Sequence, residues 1–335
     1  MRIATWNIEW FNSLFARNGT LLDDSEWSAR YNVTRSQQTG AIAIVMSALE
    51  ADVLLVVEAP DDNHRHKTVD MLEGFAERFG LRQRRALLGF SNDTQQELAL
   101  LYDPDVVTAR HDPQSSEAWP RFDGSLRIDL DIDARMDTVT FSKPPLEVTL
   151  GTQSGEVLRL IGVHVKSKAP HGATSLETAT RMAIENRRKQ LAQSIWIRGR
   201  VEEHLAAGDS LIVLGDFNDG PGLDEYEKLF GRSGVEIVAG EGGPEAERLH
   251  DPHARLSKAH HTAAAPSSAR FYLVDQKQYF SAMLDYVMLS PDLAARARKW
   301  RIWHPFDDPH IYRVPELREA LLQASDHFPV SVDID

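Results

Sequence analysis

Short apolar runs, bounded by polar residues or glycine, recur along the chain and predict buried β-strands. Residues 211–214 and 53–57 are continuous apolar runs, which are typical of strands covered on both faces. Residues 147–150 and 156–165 flank a Gly-Thr-Gln-Ser-Gly segment, which predicts a hairpin. Further strands are predicted at residues 3–8, 98–102, 126–133, 283–289 and 330–334.

Apolar residues at helical spacing predict helices between several of these strands. Thr34 and Gln37 have the spacing of a capping box, and an apolar stripe from Ile42 to Leu49 follows them. Further helices are predicted at residues 69–79, about 177–205 and 223–230. In the long helix, the basic run 187–189 is interpreted as a solvated face.

The segment from 231 to 278 differs in composition from the rest of the chain. It is rich in Gly, Pro, Ala, Ser and His, which predicts a loop-rich insertion. Its histidines lack a convincing metal-ligand spacing and are interpreted as loop residues; they are His250, His253, His260 and His261. Neither an internal repeat nor a clean linker is evident elsewhere.

Charge and cysteine content narrow the classes of function. The formal net charge is −13, so a polyanion is repelled unless basic groups or metal ions reverse the local field. This argues mildly against a broad, non-specific duplex-DNA binder. The chain has no cysteine, which excludes disulfides, thiolate zinc sites and cysteine nucleophiles. With no signal-like start and no membrane-length apolar run, we expect a cytoplasmic protein without stable membrane association.

Polar side chains stand at the ends of the predicted strands. Asp216 and Asn218 are two residues apart in extended backbone, so both side chains point the same way. Taken alone, this pair is most simply an Asx turn. However, six strand ends carry such groups: Asn7/Glu9, Glu58, His164/Lys166, Asp216/Asn218, Asp285 and Asp326/His327. Because α/β sheets gather sites at strand ends, the sequence predicts one pocket lined from both halves of the chain.

The ordered motifs carry a family resemblance. They are Thr5-Trp6-Asn7-x-Glu9, Val57-Glu58, Gly215-Asp216-Phe217-Asn218, Leu284-Asp285-Tyr286 and Ser325-Asp326-His327. Together they resemble the endonuclease/exonuclease/phosphatase superfamily, which includes pancreatic-type deoxyribonucleases, apurinic endonucleases, sphingomyelinases and inositol polyphosphate phosphatases. The resemblance implies an α/β (α+β) fold, a four-layer α/β sandwich with two packed mixed β-sheets flanked by helices. It also implies a single domain over residues 1–335.

The resemblance further implies roles for individual residues. Mg²⁺ or Mn²⁺ would be held by Glu58 with help from Asn7, Glu9 and Asp326. The catalytic set would be Asp216, Asn218, His164, His327 and Asp285. In it, Asp216 positions or deprotonates the attacking water, Asn218 orients Asp216, Asp285 orients His327, and His164 stabilises the transition state. Both the number of metal ions and the identity of the general base stay open.

The cationic residues are where the chain departs from the family pattern. Lys143 stands where the family often presents an arginine, so a point charge replaces a bidentate fork. Lys166 and Lys168 follow His164 at period two, and together the three lysines are the predicted phosphate-binding groups.

The leading interpretation of function is a metal-dependent nuclease acting on DNA or RNA. One alternative is a phosphatase or phosphodiesterase on a small or lipid phosphate, of the inositol phosphate or sphingomyelin type. The lipid version needs an apolar docking loop, for which Trp300–Phe306 is the candidate. A non-catalytic binding module on the same fold is a further alternative, and the oligomeric state stays open.

Overall fold

The computed structural model describes residues 1–130, 136–169, 172, 175–222, 231–259, 265–273 and 277–335. The strands are β1 Arg2–Asn7, β2 Val53–Ala59, β3 Arg85–Leu88, β4 Glu97–Tyr102, β5 Val107–His111, β6 Leu126–Asp129, β7 Met136–Val139, β8 Leu146–Thr152, β9 Val157–His164, β10 Ser210–Asp216, β11 Ala269–Leu273, β12 Gln278–Ala282, β13 Asp285–Leu289, β14 Ala297–Ile302 and β15 Val330–Ile334. The helices are α1 Arg35–Leu49, α2 Thr68–Phe79, α3 Leu176–Ala207, α4 Gly234–Ala239, α5 Pro252–Ala259, α6 Pro291–Ala294, α7 Pro309–Tyr312 and α8 Pro315–Ala324.

Two mixed sheets form the centre of the fold. Sheet 1 has six strands in the order β14-β15-β1-β2-β4-β3, and sheet 2 has five in the order β13-β10-β9-β8-β5. Each sheet contains one parallel pair, β1 with β2 and β9 with β10, and its other pairs are antiparallel. The pairs β6–β7 and β11–β12 form separate small sheets. The predicted fold, two packed mixed sheets flanked by helices, is confirmed.

The side chains of β2 alternate between two hydrophobic cores, one on each face of sheet 1. Val53, Leu55 and Val57 belong to the core between the sheets, whereas Leu54 and Val56 pack in a second core with α1, α2 and α8. All five side chains are fully buried, so the strand reads as a continuous apolar run. At Gly162 of β9, an added Cβ would lie 2.5 Å from a methyl carbon of Leu55, so glycine permits the close approach of the two sheets.

The capping box and the apolar stripe of α1 are confirmed. The Thr34 side chain accepts a hydrogen bond from the backbone of Gln37, whose own side chain accepts one from the Thr34 backbone. In α3 the expected solvated face is wrong at Arg187, which is fully buried. Its guanidinium donates to Asp219 Oδ2 at 2.6 Å, to Gln190 Oε1 at 2.5 Å and to the carbonyl of Arg232 at 3.1 Å.

The segment 231–278 contains more regular structure than its composition suggested. Helices α4 and α5 and strand β11 lie within it, and α4 begins with a capping box between Ser233 and Glu236. Its treatment as an insertion within one domain stays a prediction. The predicted helix 223–230, residues 131–133 of the predicted strand 126–133, and His260 and His261 lie outside the described residues.

The aromatic residues near 300 do not form the apolar docking loop that the lipid alternative requires. Trp300 is in β14 and donates to the carbonyl of Val287 at 3.0 Å. Trp303 is buried and donates to Ser331 Oγ at 2.9 Å, so of these three aromatics only Phe306 is exposed. Among the helices of the described residues, none combines the length and the apolar character needed to cross a membrane.

Arg187 provides a test of the fold. We expect Arg187→Ala to lower the free energy of unfolding by about 3–5 kcal/mol, because it leaves Asp219 buried with part of its pairing lost. The exposed neighbour Lys189 provides the matched control, and Lys189→Ala is expected to change stability by less than about 0.5 kcal/mol. Urea denaturation of both variants measures the difference; equal small effects would contradict the assignment of Arg187 to the core.

Candidate active site

Three adjacent strands of sheet 2 place their functional residues side by side. Asp216 of β10 pairs with His164 of β9 and with Asp285 of β13. All three side chains are buried. Gly215 precedes Asp216 with φ +136°, and an added Cβ would lie 2.0 Å from the carbonyl oxygen of Val163. The glycine of the Gly-Asp-x-Asn motif is therefore required by the close contact between β10 and β9.

The strand ends of sheet 1 meet this row from the other side. Asn7 ends β1, and its amide donates a 3.1 Å hydrogen bond to Asp216 Oδ2. Glu58 lies in β2 where the pairing with β4 shifts register, and its φ is +60°. Such a bulge changes the direction of a side chain and is common beside active sites. The predicted pocket lined from both halves of the chain thus has its counterpart in the structure.

Asp216 is held by hydrogen-bond donors from both sheets. Besides Asn7, the backbone N–H of Asn218 donates to its Oδ1 at 2.8 Å and the Asn218 amide to its Oδ2 at 3.2 Å. The pKa of the Asp216 carboxyl is raised to about 7, chiefly by burial and then by the charge of Asp285, while His327 and these hydrogen bonds oppose the shift. A carboxyl group with this pKa can accept a proton near neutral pH.

His327 and Asp285 form a buried pair. His327 Nδ1 lies 2.7 Å from Asp285 Oδ2, which also accepts a 2.8 Å hydrogen bond from Ser268 Oγ. Burial lowers the pKa of His327, but the charge and hydrogen bond of Asp285, together with the charges of Asp216 and Asp326, hold this pKa well above its usual range. His327 is therefore an imidazolium at neutral pH, with Nδ1–H donating to Asp285.

His164, in contrast to His327, has a neutral ring at neutral pH. Burial keeps the pKa of His164 well below its usual range, and the charges of Lys143, His327 and Lys166 lower it further. The Lys143 ammonium lies 3.2 Å from His164 Nδ1 and 3.4 Å from Nε2. Burial also lowers the pKa of Lys143, against the attraction of Glu58 and Asp216. The pocket thus contains a neutral histidine, a charged histidine and a lysine.

The predicted metal-binding residues fit a hard divalent cation at Asn7 and Glu58. Asn7 Oδ1 is buried and has no hydrogen-bond partner within the described part of the chain. Burial raises the pKa of Glu58, and the nearby charge of Asp326 adds to the effect, while Lys143, His327 and Asn7 oppose it. An unpartnered amide oxygen beside a destabilised carboxylate matches the all-oxygen ligation of Mg²⁺ and Mn²⁺.

Glu9 and Asp326 lie at the edge of this group. Glu9 forms an ion pair with Arg30 and accepts a 2.9 Å hydrogen bond from the indole of Trp10. The pKa of Glu9 is raised to about 7, first by burial and then by the charge of Asp326, with Arg30 opposing. Both carboxylates border one cavity beside the pocket.

A second arrangement of potential ligands is present but is less suited to Mg²⁺. Among the described residues, Asp216, Asp285 and His327 place one ligand atom each within 4.8 Å of one another. His327 Nδ1 is occupied by Asp285, and an imidazolium offers no lone pair to a cation. This trio is therefore better described as a hydrogen-bonded Asp285–His327 pair with the carboxyl of Asp216 close to it.

Comparison with known proteins identifies the family of the chain. The family model described as "Endonuclease/Exonuclease/phosphatase family" matches residues 4–327. The chain belongs to this family. Its membership supports phosphoester hydrolysis as the class of reaction.

Solved structures of the same fold include three enzymes with different activities. A 3′ phosphatase from Neisseria bound to a product DNA hairpin has 15% identity and TM-score 0.51, with 100% of this chain and 99% of that chain covered. An AP endonuclease from Archaeoglobus fulgidus has 13% identity, TM-score 0.53 and coverage of 100% and 99%. A mannosyl-6-phosphatase from Bacteroides thetaiotaomicron also has 13% identity and TM-score 0.53, with 100% of this chain and 99% of that chain covered. These likenesses show the fold. A comparison of the sequence with curated proteins found no match.

The predicted phosphate-binding lysines are placed differently from one another. Lys143 is in the pocket, and Lys166 is close enough for its charge to lower the pKa of His164. Lys168 instead donates to Asp219 Oδ1 at 2.8 Å, beside the buried Arg187. Its proposed phosphate contact would require this ion pair to be exchanged.

Several positioning residues were missed from the sequence. Gln190 of α3 donates to the carbonyls of Lys166 and Asn218, each at 3.0 Å, and Gln193 accepts from the backbone of Lys166 at 2.9 Å. Ser325 Oγ donates to the carbonyl of Asn7 at 2.8 Å and accepts from Glu9 and His327. Gln190 and Gln193 lie within the predicted helix, and their spacing of three residues is the only sequence signal for a shared face.

The Asp285–His327 pair predicts a measurable protonation state. In Asp285→Asn we expect the pKa of His327 to fall, so that the ring becomes neutral at a lower pH than in the wild type, because burial then outweighs the remaining charges. Imidazole nitrogen shifts followed by NMR across pH report this change. His204 and Asp209 form a similar pair at 2.7 Å at the opposite end of β10. Asp209→Asn should leave His327 unchanged, and an unaltered His327 titration in Asp285→Asn would contradict the assignment.

Proposed function

We propose that the protein is a divalent-metal-dependent phosphodiesterase, and specifically a nuclease that hydrolyses DNA or RNA by in-line attack of an activated water. The observation that carries this proposal is the meeting of Asp216, His327 and Lys143 with the Asn7–Glu58 pair in one buried pocket. These groups supply a base, a charged donor and a lysine beside an oxygen-rich cation site.

Asp216 is the candidate base. Its pKa of about 7 lets it take a proton from water at neutral pH, and Asn7 and Asn218 restrict the direction of its carboxylate. The amide of Asn218 also donates to the carbonyl of Val165 at 3.0 Å, which anchors the turn that follows β10. Asn218 is therefore a positioning residue for Asp216.

His327, His164 and Lys143 are the candidate groups for the phosphate. With Nδ1–H directed to Asp285, the Nε2–H of His327 is left to donate to a phosphate oxygen or to protonate the leaving oxygen. Lys143 supplies positive charge, and the neutral His164 ring beside it can donate one hydrogen bond. Fixed donors of this kind stabilise the charge that develops on the phosphoryl oxygens.

Mg²⁺ or Mn²⁺ would be held by Glu58 and Asn7, with Asp326 and Glu9 nearby. When bound, the ion would polarise the phosphoryl group and neutralise charge on its oxygens. Three of these four groups are carboxyl groups and the fourth is an amide; Arg30 pairs with Glu9, and the charges of Lys143 and His327 lie near Glu58. The donor atoms are all oxygens, which supports a hard cation in the proposed function.

A phosphomonoesterase acting on a small phosphate is the second candidate. It is favoured by the net charge of −13 and by the mannosyl-6-phosphatase that shares the fold. A nucleic-acid substrate is supported by the DNA hairpin bound to the Neisseria phosphatase and by the exposed aromatic residues beside the pocket, which include Tyr279 and Phe306. The alternative of a lipid phosphate as substrate lacks the apolar docking loop that it requires, because Trp303 is buried.

Cleavage assays test the proposal. We expect the wild-type protein to cleave single-stranded DNA, plasmid DNA or RNA with Mg²⁺ or Mn²⁺, and EDTA to abolish cleavage. Asp216→Asn and His327→Gln should each lower kcat by about 100- to 10,000-fold, because each removes a proton-transfer or donor group.

Matched variants and substrates make the result specific. His204→Gln changes a histidine of the remote Asp–His pair and should retain wild-type kcat. Mannose 6-phosphate and an inositol phosphate complete the substrate panel. Cleavage of these alone would replace the nuclease by the second candidate, and no metal-dependent hydrolysis of any substrate would refute the proposed function.

A further inference from the structure

A cavity of about 920 Å³ adjoins the candidate active site. Glu9, Ser325 and Asp326 line one side of it. The β11–β12 hairpin and Phe306 also contribute to its lining. The cavity therefore begins at the proposed metal ligands and continues along a surface that none of the roles described above uses.

Arg270 occupies the centre of this second surface. Its guanidinium carbon lies 4.1 Å from the ring centroid of Tyr279 and 5.0 Å from that of Phe306. Its backbone N–H donates to the carbonyl of Asp326 at 2.7 Å, and the neighbouring residue Ala269 bridges to His327. The position of Arg270 is thus fixed relative to the pocket by backbone contacts.

The guanidinium of Arg270 forms no ion pair and no side-chain hydrogen bond with any residue that the structure describes. Arg30, which lines the same cavity, is by contrast paired with Glu9. Contact with aromatic rings does not consume the N–H groups of a guanidinium, and these N–H groups match the oxygens of a phosphate. In a chain of net charge −13, such an unpaired cation favours an anionic ligand.

We propose that Arg270, held by Tyr279 and Phe306, binds a second phosphate group of the substrate, next to the phosphoester that is cleaved. This inference rests on the proposed function, because it takes the pocket as the place of hydrolysis. The second phosphate is either the adjoining diester of a nucleic-acid strand or a terminal monoester. Tyr272 and Tyr31 border the same cavity with exposed rings, which offer stacking surfaces to a planar base.

Short thymidine oligomers separate these cases. TpT has one diester and no other phosphate, pTpT and TpTp add a terminal monoester at one end or the other, and TpTpT has two diesters, so that the second phosphate is itself a diester whichever bond is cleaved. For Arg270→Gln, we expect kcat/KM to fall by about 10- to 100-fold on TpTpT and on one of the two monoester substrates, through loss of a charged hydrogen bond. On TpT the change should stay below about 2-fold.

Arg301 is the matched control. Its guanidinium carbon lies 4.1 Å from the ring centroid of Trp303, but the group is paired with Asp308 at 2.6 Å. Arg301→Gln should leave kcat/KM unchanged on all four substrates. Arg270→Lys keeps the charge without the planar fork and should give an intermediate loss.

The outcomes are distinct. The expected loss, on TpTpT and on one of the two monoester substrates, assigns the subsite to a second phosphate on one side of the cleaved bond. A loss confined to TpTpT assigns it to a strand diester, and one confined to pTpT or TpTp assigns it to a terminal phosphate; each of these results supports the inference. Equal losses on all four substrates, or none, would overturn it.

A binding measurement tests the role of Arg270 separately from the proposed catalytic function. If the wild type cleaves nothing, the proposed function fails. Anisotropy of fluorescein-labelled oligothymidylate in EDTA then decides the inference. A 10-fold or greater weakening in Arg270→Gln, absent in Arg301→Gln, supports the anion subsite, and unchanged binding overturns it.

Discussion

The hydrogen bond from Asn7 to Asp216 joins the ends of the two sheets, and the geometry of the pocket depends on this junction. Asn7 ends a strand of sheet 1, and Asp216 ends a strand of sheet 2. The packed cores behind them fix where each strand ends, so the polar residues at those ends have little freedom to separate. The second polar atom of the same amide, Oδ1, has no hydrogen-bond partner among the described residues, which is why it is proposed as a metal ligand.

Buried charge explains why the neighbouring groups differ in protonation. Asp216 and Asp285 face each other across paired strands, and two adjacent buried carboxylates cannot both be ionised cheaply. His327 balances Asp285 and stays protonated, while the pKa of Asp216 rises to about 7. His164 lies near Lys143 and His327, and therefore stays neutral. One buried environment thus yields a base, a charged donor and a neutral ring.

Much of this arrangement could be predicted from the sequence, because local patterns determine where strands end. The apolar run 53–57 and the Gly-Asp-x-Asn segment led directly to Glu58, Asp216 and Asn218. What the sequence did not reveal comes from residues that meet only through packing. Ser268, which directly precedes β11, donates a hydrogen bond to Asp285, and no local pattern marks it. Arg187 could have been recognised, because it lies three residues after Ile184 and four before Leu191 on the apolar stripe of α3.

The location of a bound divalent ion tests the central claim most directly. Crystals grown with Mn²⁺ and measured at the manganese absorption edge would show the ion by its anomalous scattering. We expect a peak ligated by Asn7 Oδ1 and the Glu58 carboxylate, with Asp285 still hydrogen-bonded to His327. A peak ligated by Asp216, Asp285 and His327, or an ion bound only outside the pocket, would contradict it.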